Sequence, residues 1–182
     1  KPKQLKWYRS FARKEKSEEF YFLNQFDGIV CTTENIASIL ERSGVKAKTT
    51  VVPNGALLQQ DVTFEEAKKR KRDIDLLYVG QFMRWKNVDL VLETLPKLPE
   101  ITFHLVGGEP NTSDWRRLQE IVEKNNLRER VVFHGQKPHH EVADFMKRAK
   151  AGVVPLPLSG FPEARLFCCP LKAIELMASG TP

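Results

Sequence analysis

The chain has 182 residues, of which 41% are hydrophobic, and a formal net charge of +6. This length and composition exclude a disordered chain and allow one large domain, or one domain with part of a second. No apolar run reaches the roughly 20 residues that a membrane-spanning helix needs. No secretory signal pattern opens the chain, and three cysteines are too few for a disulfide framework or a zinc cluster. We therefore expect a globular protein of the cytoplasm.

The positive charge lies at the amino terminus. Residues 1–16 contain seven Lys and Arg residues and one Glu, so the rest of the chain is neutral. Trp7, Tyr8 and Phe11 stand among these cations, which is typical of a basic amphipathic helix on an anionic membrane surface. Nucleic acid is a rival ligand, but no helix-turn-helix, zinc-finger or RNA-recognition signature follows, and we expect none to bind. A solvated helix whose aromatic rings pack on their own domain is the third interpretation.

From about residue 27 onward, short β-branched apolar runs alternate with longer segments of helical periodicity. This alternation predicts the α/β class, with a Rossmann-like, doubly wound parallel sheet whose strands are joined by crossover helices. The predicted strands are 28–31, 50–52, 74–79, 101–106, 131–133 and 152–155. The clearest predicted helices are 33–43, 87–96, 112–126 and 139–149, with Thr32 or Thr33, Asn87 and Thr112 as N-caps.

A polar stretch between Gly55 and Arg72 interrupts this alternation and indicates a boundary between two structural units. The unit after the stretch begins a new series of strands and helices. A complete doubly wound domain needs further strands after Gly180, yet the sequence stops two residues later, where a turn would lead to the next strand. We therefore expect the second unit to be truncated at its C-terminal end.

The end of the sequence predicts a helix with an anion site at its start. Pro170 suits the first helical position and Cys169 is a poor N-cap, so the amides of Leu171 and Lys172 have no capping partner. Unpaired amides at the positive end of a helix dipole bind anions such as phosphate, and Lys172 adds a cation. Glu175 lies on the same face, one turn further on, where it could accept hydrogen bonds from both hydroxyls of a ribose.

An ordinary amphipathic surface helix, with Gly180 as its C-cap, is the alternative interpretation of this segment. Proline near a helix start and glycine near a helix end are common in any fold. In either case, Leu171, Ile174 and Ala178 form the apolar stripe that we expect to pack inward.

Four short motifs stand in fixed order along the chain. They are Val52-Pro-Asn-Gly55, Tyr78-Val-Gly-Gln-Phe-Met-Arg-Trp-Lys86, Val106-Gly-Gly108 with Val132-Phe-His-Gly135, and Pro170-Leu-Lys-Ala-Ile-Glu175. In this order they resemble the retaining glycosyltransferases of family 4, which have the GT-B fold and use nucleotide sugars. The resemblance implies two Rossmann-like domains that face a cleft. Residues 1–60 would be the end of the acceptor-side domain with the linker, and residues 61–182 the nucleotide-sugar (donor) domain.

The resemblance assigns the expected catalytic residues. Gly80 is similar to the glycine of the first strand-to-helix turn, where the backbone must come close to the donor diphosphate. Lys86 matches the family lysine that neutralises this diphosphate. The usual arginine just after the glycine is Gln81 here, and Arg84 is a candidate substitute. Lys86, Arg84 and Glu175 are therefore the expected catalytic residues.

The donor-binding residues follow in the same way. Gly107 and Gly108 close a strand, as ligand-facing loops at the carboxyl edge of a sheet must. The resemblance places Gln136 and Lys137 near the base of the nucleotide. The full expected set is Gly80, Gln81, Gly107, Gly108, Gln136, Lys137, Cys169, Pro170, Leu171, Lys172 and Glu175.

The family's usual pair of glutamates is only half present. Counting back from Glu175, the first position is Phe167, whose ring cannot accept hydroxyl protons. Orientation of the sugar would then depend on backbone amides, Glu163 or Arg165. Family members whose motif has the form Pro-Leu-Lys-x-x-Glu often lack the first glutamate. Phe167 at this position therefore indicates that subgroup of the family.

No metal ion is expected. His139 and His140 are adjacent at a helix start and point in different directions, and no carboxylate or cysteine stands at ligand spacing from them or from His134. The resemblance also implies no cofactor beyond the substrate itself, a UDP- or GDP-linked sugar.

The predicted function is transfer of a hexose from this nucleotide sugar to a hydroxyl of a saccharide or lipid-linked acceptor, with retention, in cell-surface polysaccharide or glycolipid synthesis. We expect the enzyme in the cytoplasm, where residues 1–16 could hold it at the inner face of the plasma membrane. Because most of the acceptor side is absent, the chain by itself is expected to be inactive. The alternatives are a non-catalytic module that binds a nucleotide or anion, and a nucleotide-sugar epimerase or a phosphorylase with the same fold.

Overall fold

The computed structural model describes residues 18–56, 64–156 and 170–182. The chain divides into two compact units, Lys1–Asn54 and Gly55–Pro182. In the described part of the first unit, β1 (Gly28–Cys31) pairs in parallel with β2 (Lys48–Val51). A helical segment, α1 (residues 18–23), precedes these strands, and α2 (Glu34–Arg42) connects them.

The second unit is a parallel sheet with its connecting helices. Its described strands are β3 (Ile74–Val79), β4 (Phe103–Val106), β5 (Val131–Gly135) and β6 (Ala149–Gly152). Its described helices are α3 (Phe64–Lys69), α4 (Val88–Thr94), α5 (Ser113–Lys124), α6 (His139–Arg148) and α7 (Leu171–Ala178), with 3₁₀ turns at Arg84–Lys86 and Leu95–Lys97. The strand order is β5-β4-β3-β6, with every pairing parallel. This topology confirms the predicted α/β class with a doubly wound sheet.

Helices cover both faces of this sheet. On one face, α4 and α5 contribute Leu92 and Leu118 to a core that includes β4. On the other face, α6 and α7 contribute Met146 and Leu176 to a second core that includes β3. The chain therefore reverses its direction across the sheet between β3 and β6, which creates a topological switch point at their carboxyl ends. Within the described ranges, no helix is long and apolar enough to cross a membrane.

Thr33, Asn87 and Thr112 all occupy the predicted N-cap positions, and two of them make the capping bond with the side chain. Thr33 Oγ1 accepts a hydrogen bond from Ile36 N (3.2 Å), and Thr112 Oγ1 accepts one from Trp115 N (3.3 Å). Asn87 precedes α4 but makes no side-chain capping bond, because its backbone is left-handed (φ 56°). Asparagine tolerates this conformation, so it turns the chain from the 3₁₀ turn into α4.

The predicted strand 152–155 is displaced by three residues, since β6 is Ala149–Gly152. The strand consists mainly of small residues, which lack the β-branched pattern that predicts a strand. Their size has a packing reason: a Cβ on Gly152 would lie 2.4 Å from Leu176 Cδ1. The close approach of α7 to β6 therefore requires glycine at this position.

The last helix, α7, begins at Leu171, and Pro170 is its N-cap, one residue from the predicted arrangement. At its other end Gly180 (φ 71°) terminates the helix as predicted, and Thr181 N donates to Leu176 O (2.9 Å) in a Schellman motif. The predicted inward stripe is partly wrong, because Leu176 is buried whereas Leu171 is 44% exposed. Leu176 occupies the side of the helix that packs on β6.

Asp75 connects the amino ends of three strands. From β3, its carboxylate accepts hydrogen bonds from Thr102 N (3.0 Å) and Thr102 Oγ1 (2.7 Å), next to β4, and from Lys150 Nζ (2.7 Å) on β6. The bonds from Lys150 and Thr102 lower the pKa of Asp75 to about 2. The folded chain therefore stabilises the ionised carboxylate.

Replacing Asp75 with Asn should lower the free energy of unfolding at pH 7 by about 1–2 kcal/mol, because the charge-assisted hydrogen bonds are lost. The pKa of Asp75 is lower in the folded chain than in the unfolded chain. Its contribution is therefore complete above about pH 4 and disappears as the pH falls toward 2. Denaturant titrations at pH 7 and pH 3 measure this difference. Asp73→Asn, which removes an exposed pair with Arg148 (2.7 Å), is the control and should change stability less. An Asp75→Asn deficit of equal size at both pH values would contradict the prediction.

Candidate functional site

A cleft of about 570 Å³ opens at the carboxyl edge of the four-stranded sheet. It lies at the switch point between β3 and β6, which is where open α/β sheets bind their ligands. Most of the predicted site residues line it: Gly80, Gln81, Lys86, Gly107, Gln136, Lys137, Pro170, Leu171 and Lys172. These residues come from the loops after β3, β4 and β5 and from the start of α7, so the fold brings four separate parts of the chain to one place.

Three predicted residues do not line the cleft. Arg84 is exposed. Burial and, secondly, the charge of Arg84 lower the pKa of Arg117. Gly108 is buried, and a Cβ on it would lie 2.3 Å from the ring of Phe82, which gives this glycine a packing role. Glu175 lies on α7, one turn beyond the residues of that helix that reach the cleft.

A backbone contact between two glycines shapes the cleft. A Cβ on Gly107 (φ 116°) would lie 2.2 Å from the carbonyl oxygen of Gly80, so only glycine fits there. Gly80 N donates to Val106 O (2.9 Å), and Gly107 N donates to Gly135 O (2.7 Å). The carboxyl ends of β3, β4 and β5 are thereby joined, and no side chain at these two glycines fills the space above them.

Three lysines of the described residues give the cleft a positive charge. Lys86, Lys137 and Lys172 line it, whereas no Asp or Glu among the described residues does. Lys137 Nζ lies 3.6 Å from Glu141 Oε2, and Lys172 Nζ lies 2.6 Å from Glu175 Oε2. A concave surface lined by one sign of charge concentrates ligands of the opposite sign. The cleft is therefore suited to an anionic ligand.

The start of α7 adds backbone donors to the same cleft. Pro170 makes no side-chain capping bond, and in the part of the chain that the structure describes the amides of Leu171 and Lys172 have no acceptor. Two unpaired amides beside an ammonium group form an arrangement that binds phosphate oxygens. The predictions that concern Glu163, Arg165, Phe167 and Cys169 lie outside the described residues.

Apolar side chains complete the cleft, and the sequence predicts a role for none of them. They are Tyr78, Val79, Met83, Trp85, Val106, Val142, Val154, Pro155 and Leu156. The sequence does not predict residues 154–156 as part of the cleft, because 154 and 155 belong to the predicted strand 152–155 and 156 follows it. Trp85 stands beside the predicted Lys86, whose Nζ lies 3.9 Å from the centre of the indole ring. An apolar wall with a few convergent polar groups is typical of small-molecule sites.

Two histidines, His104 on β4 and His134 on β5, form a pair within the sheet. His134 Nε2 lies 3.0 Å from His104 Nδ1. Burial is the main cause that lowers the pKa of both rings. The charge of Arg148 lowers the pKa of His104 further, and His104 does the same for His134. Lower pKa values favour the neutral forms of both rings. Among the described residues, no group of three or more His, Cys, Asp or Glu side chains is placed to hold a metal ion.

The sheet, its helices and its carboxyl-edge cleft define a Rossmann-like α/β domain of the GT-B type. Residues 59–182 match the family model of glycosyl transferases group 1, and the chain belongs to this family.

Known proteins similar to this chain are considerably longer. An uncharacterized glycosyltransferase of Methanocaldococcus jannaschii is 27% identical over 163 residues, which are 89% of this chain and 40% of that protein. Sucrose-phosphate synthase of Thermosynechococcus elongatus is 28% identical with a TM-score of 0.69, over 90% of this chain and 41% of that chain. HepE of Anabaena, solved in complex with UDP and glucose, shares the fold at 17% identity with a TM-score of 0.66, over 87% of this chain and 44% of that chain. This chain thus spans less than half the length of each.

Replacing Gly107 with Ala should lower the free energy of unfolding by about 2–4 kcal/mol, because the new methyl group meets the Gly80 backbone and the strand ends must separate. Gly135→Ala is the matched control: its φ is also positive (69°), but nothing lies within 4 Å of a Cβ there. It should cost only about 1 kcal/mol, from backbone strain alone. Denaturant titration of both variants measures the difference, and equal losses would show that the glycine contact is not tight.

Proposed function

We propose that this chain is the donor-binding part of a family 4 glycosyltransferase, which transfers a hexose from a nucleoside-diphosphate sugar to an acceptor hydroxyl with retention. One observation carries the proposal. Three lysines, and two helix amides that have no acceptor among the described residues, belong to a cleft that no described carboxylate lines. A diphosphate is the part of a nucleotide sugar that such a surface recognises.

The proposed chemistry is electrostatic stabilisation of the leaving group. As the bond between the sugar and the diphosphate breaks, negative charge increases on the phosphate oxygens. Lys86, and Lys172 with the amides of Leu171 and Lys172, would neutralise it. Because the two amides belong to a helix, they would need little reorganisation during the reaction. Arg84 does not line the cleft, and its catalytic role stays a prediction.

The proposal assigns the ribose and the base of the nucleoside to different residues. Glu175 would accept hydrogen bonds from the ribose hydroxyls, using carboxylate oxygen lone pairs that its bond with Lys172 leaves available. Gln136 and Lys137, which line the cleft after β5, would contact the base. A uridine or guanosine diphosphate is compatible with these groups, and HepE of Anabaena, which has this fold, was solved with UDP.

For the whole protein, we propose that residues 1–60 end an acceptor-side domain and residues 61–182 form the donor domain. The acceptor would be a saccharide or a lipid-linked saccharide, in polysaccharide or glycolipid synthesis. We propose a cytoplasmic enzyme whose basic segment, residues 1–16, docks on the inner face of the plasma membrane.

A second candidate function is nucleotide binding without chemistry. It is favoured by the position of Arg84 outside the cleft, since Arg84 is the expected substitute for the usual arginine, which is Gln81 in this chain. A full-length protein that binds a nucleotide sugar but transfers no sugar to any saccharide or lipid acceptor would support this candidate.

Glu175→Gln and Lys86→Ala should separate the two ends of the proposed ligand. Glu175→Gln should weaken nucleoside and nucleoside diphosphate alike, by about 1.5–3 kcal/mol, because charge-assisted bonds to the ribose are lost. Lys86→Ala should weaken the diphosphate far more than the nucleoside, because only the diphosphate presents charge to the lysine. Isothermal titration with UDP, GDP, uridine and guanosine measures both effects.

Two surface variants serve as controls for this titration. Lys97→Ala and Glu120→Gln change the same residue types at exposed positions away from the cleft, so they should leave all affinities unchanged. Equal affinities for wild type and Glu175→Gln would show that α7 is an ordinary amphipathic surface helix, as in the alternative interpretation. Failure of the wild-type chain to bind any of the four ligands would contradict the proposed function.

The membrane proposal is tested with vesicles of a neutral lipid that contain or lack an anionic lipid. The chain should co-sediment only with the anionic vesicles, and replacement of Lys3, Lys6, Arg9 and Arg13 by Gln should abolish binding, since each cation contributes about 1 kcal/mol near the surface. Binding that persists in the quadruple variant, or in roughly 0.5 M salt, would exclude an electrostatic mechanism.

A further inference from the structure

The loop between β3 and α4, residues 80–87, carries Gly80, Gln81 and Lys86 to the cleft. The backbone carbonyl groups of two successive residues in this loop, Gln81 and Phe82, accept hydrogen bonds from side chains outside the loop or at its base. The hydroxyl of Tyr78 donates to Gln81 O (2.6 Å), and the guanidinium of Arg117 donates to Phe82 O. The loop is therefore fixed through its backbone at the point between the cleft glycine and the cleft lysine.

Arg117 joins this loop to two helices. It lies on α5, and its side chain is only 12% exposed. Besides the Phe82 carbonyl, its guanidinium contacts Asp89 near the start of α4 and Asp114 Oδ1 (3.2 Å) in the first turn of α5. A planar guanidinium can bond several acceptors in fixed directions at once, which an ammonium group cannot do. The side chain therefore sets the position of the loop relative to both helices.

The side chain of Phe82 is fixed by the same region. Phe82 is 2% exposed, and the centre of its ring lies 5.5 Å from that of Trp115 on α5 and 6.0 Å from that of Phe133 on β5. Gly108 leaves the space that the ring occupies. Both the carbonyl and the ring of Phe82 are thus held from one side, while Gln81, Met83 and Lys86 face the cleft.

We propose that Arg117 is a positioning residue for the diphosphate: it fixes the Phe82 carbonyl so that the loop presents Lys86 to the cleft before any ligand arrives. This inference rests on the proposed function. Arg117 does not itself line the cleft, so its effect on binding passes through the loop. A loop that is ordered in advance loses less conformational entropy when a ligand binds, and binding is tighter by that difference.

The test compares Arg117→Met and Arg117→Lys with Arg130→Met in the full 182-residue chain. Arg130 is a matched control, because its guanidinium also holds backbone carbonyls beside α4, those of Leu95 (3.2 Å) and Leu98 (2.7 Å), but at the end away from the cleft. Arg117→Met should weaken UDP or GDP binding about tenfold and change nucleoside binding less than about twofold. Arg117→Lys keeps the charge and should recover only part of the loss.

A double-mutant cycle shows whether the effect passes through Lys86. In a Lys86→Ala background, Arg117→Met should weaken diphosphate binding by less than about twofold, since the group that Arg117 positions is already gone. Full additivity of the two substitutions would overturn the inference. So would an equal loss of nucleoside and diphosphate affinity, or a loss in Arg130→Met as large as that in Arg117→Met.

Hydrogen–deuterium exchange gives a measurement without ligand. Peptides that cover residues 81–87 should exchange faster in Arg117→Met and Arg117→Lys than in wild type, and at the wild-type rate in Arg130→Met. Unchanged exchange in both Arg117 variants would overturn the positioning role. If wild type binds neither diphosphate, the proposed function fails and the role of Arg117 in binding fails with it. If wild type binds a diphosphate and Lys86→Ala shows the diphosphate-selective loss, unchanged diphosphate affinity in Arg117→Met overturns this inference and leaves the proposed function standing.

Discussion

The close approach of Gly107 to the carbonyl oxygen of Gly80 is the constraint on which the site depends. Any side chain at position 107 would meet backbone at 2.2 Å, and backbone cannot move aside as a flexible side chain can. The contact holds the carboxyl ends of β3 and β4 together and leaves the space above them open. The loop after β3 can then turn back toward α4 and present its residues at the edge of the sheet. A cleft at the switch point is a consequence of this geometry.

The second unit separates its charges along the strand direction. At the amino ends of the strands, Asp73 and Asp75 are paired with Arg148 and Lys150, so both signs are present and largely cancel. At the carboxyl ends, three lysines line the cleft and no described carboxylate does, although Lys137 and Lys172 have glutamate partners outside the lining. Cations that face a cleft favour an anionic ligand there.

The sequence was sufficient for the fold class and for the elements whose signals are local. The strands at 28–31 and 74–79 have the predicted bounds, and Thr33 caps a helix as predicted. Prediction failed where tertiary packing selects the residue: β6 ends in Gly152, which leaves the space that Leu176 of α7 occupies. For the site, glycines and lysines next to strand ends could be identified. Arg117 could not, because a side chain on α5 that bonds a carbonyl 35 positions earlier leaves no pattern in the sequence.

Each lysine of the cleft has a partner within the chain. Lys172 and Lys137 face glutamates, and Lys86 lies over the ring of Trp85. The proposed diphosphate would share or replace these contacts, so the net free energy of binding would be smaller than the attraction between the charges alone. In the proposed reaction, each lysine would regain its full contact with its resident partner as the diphosphate leaves, which would favour release of the product.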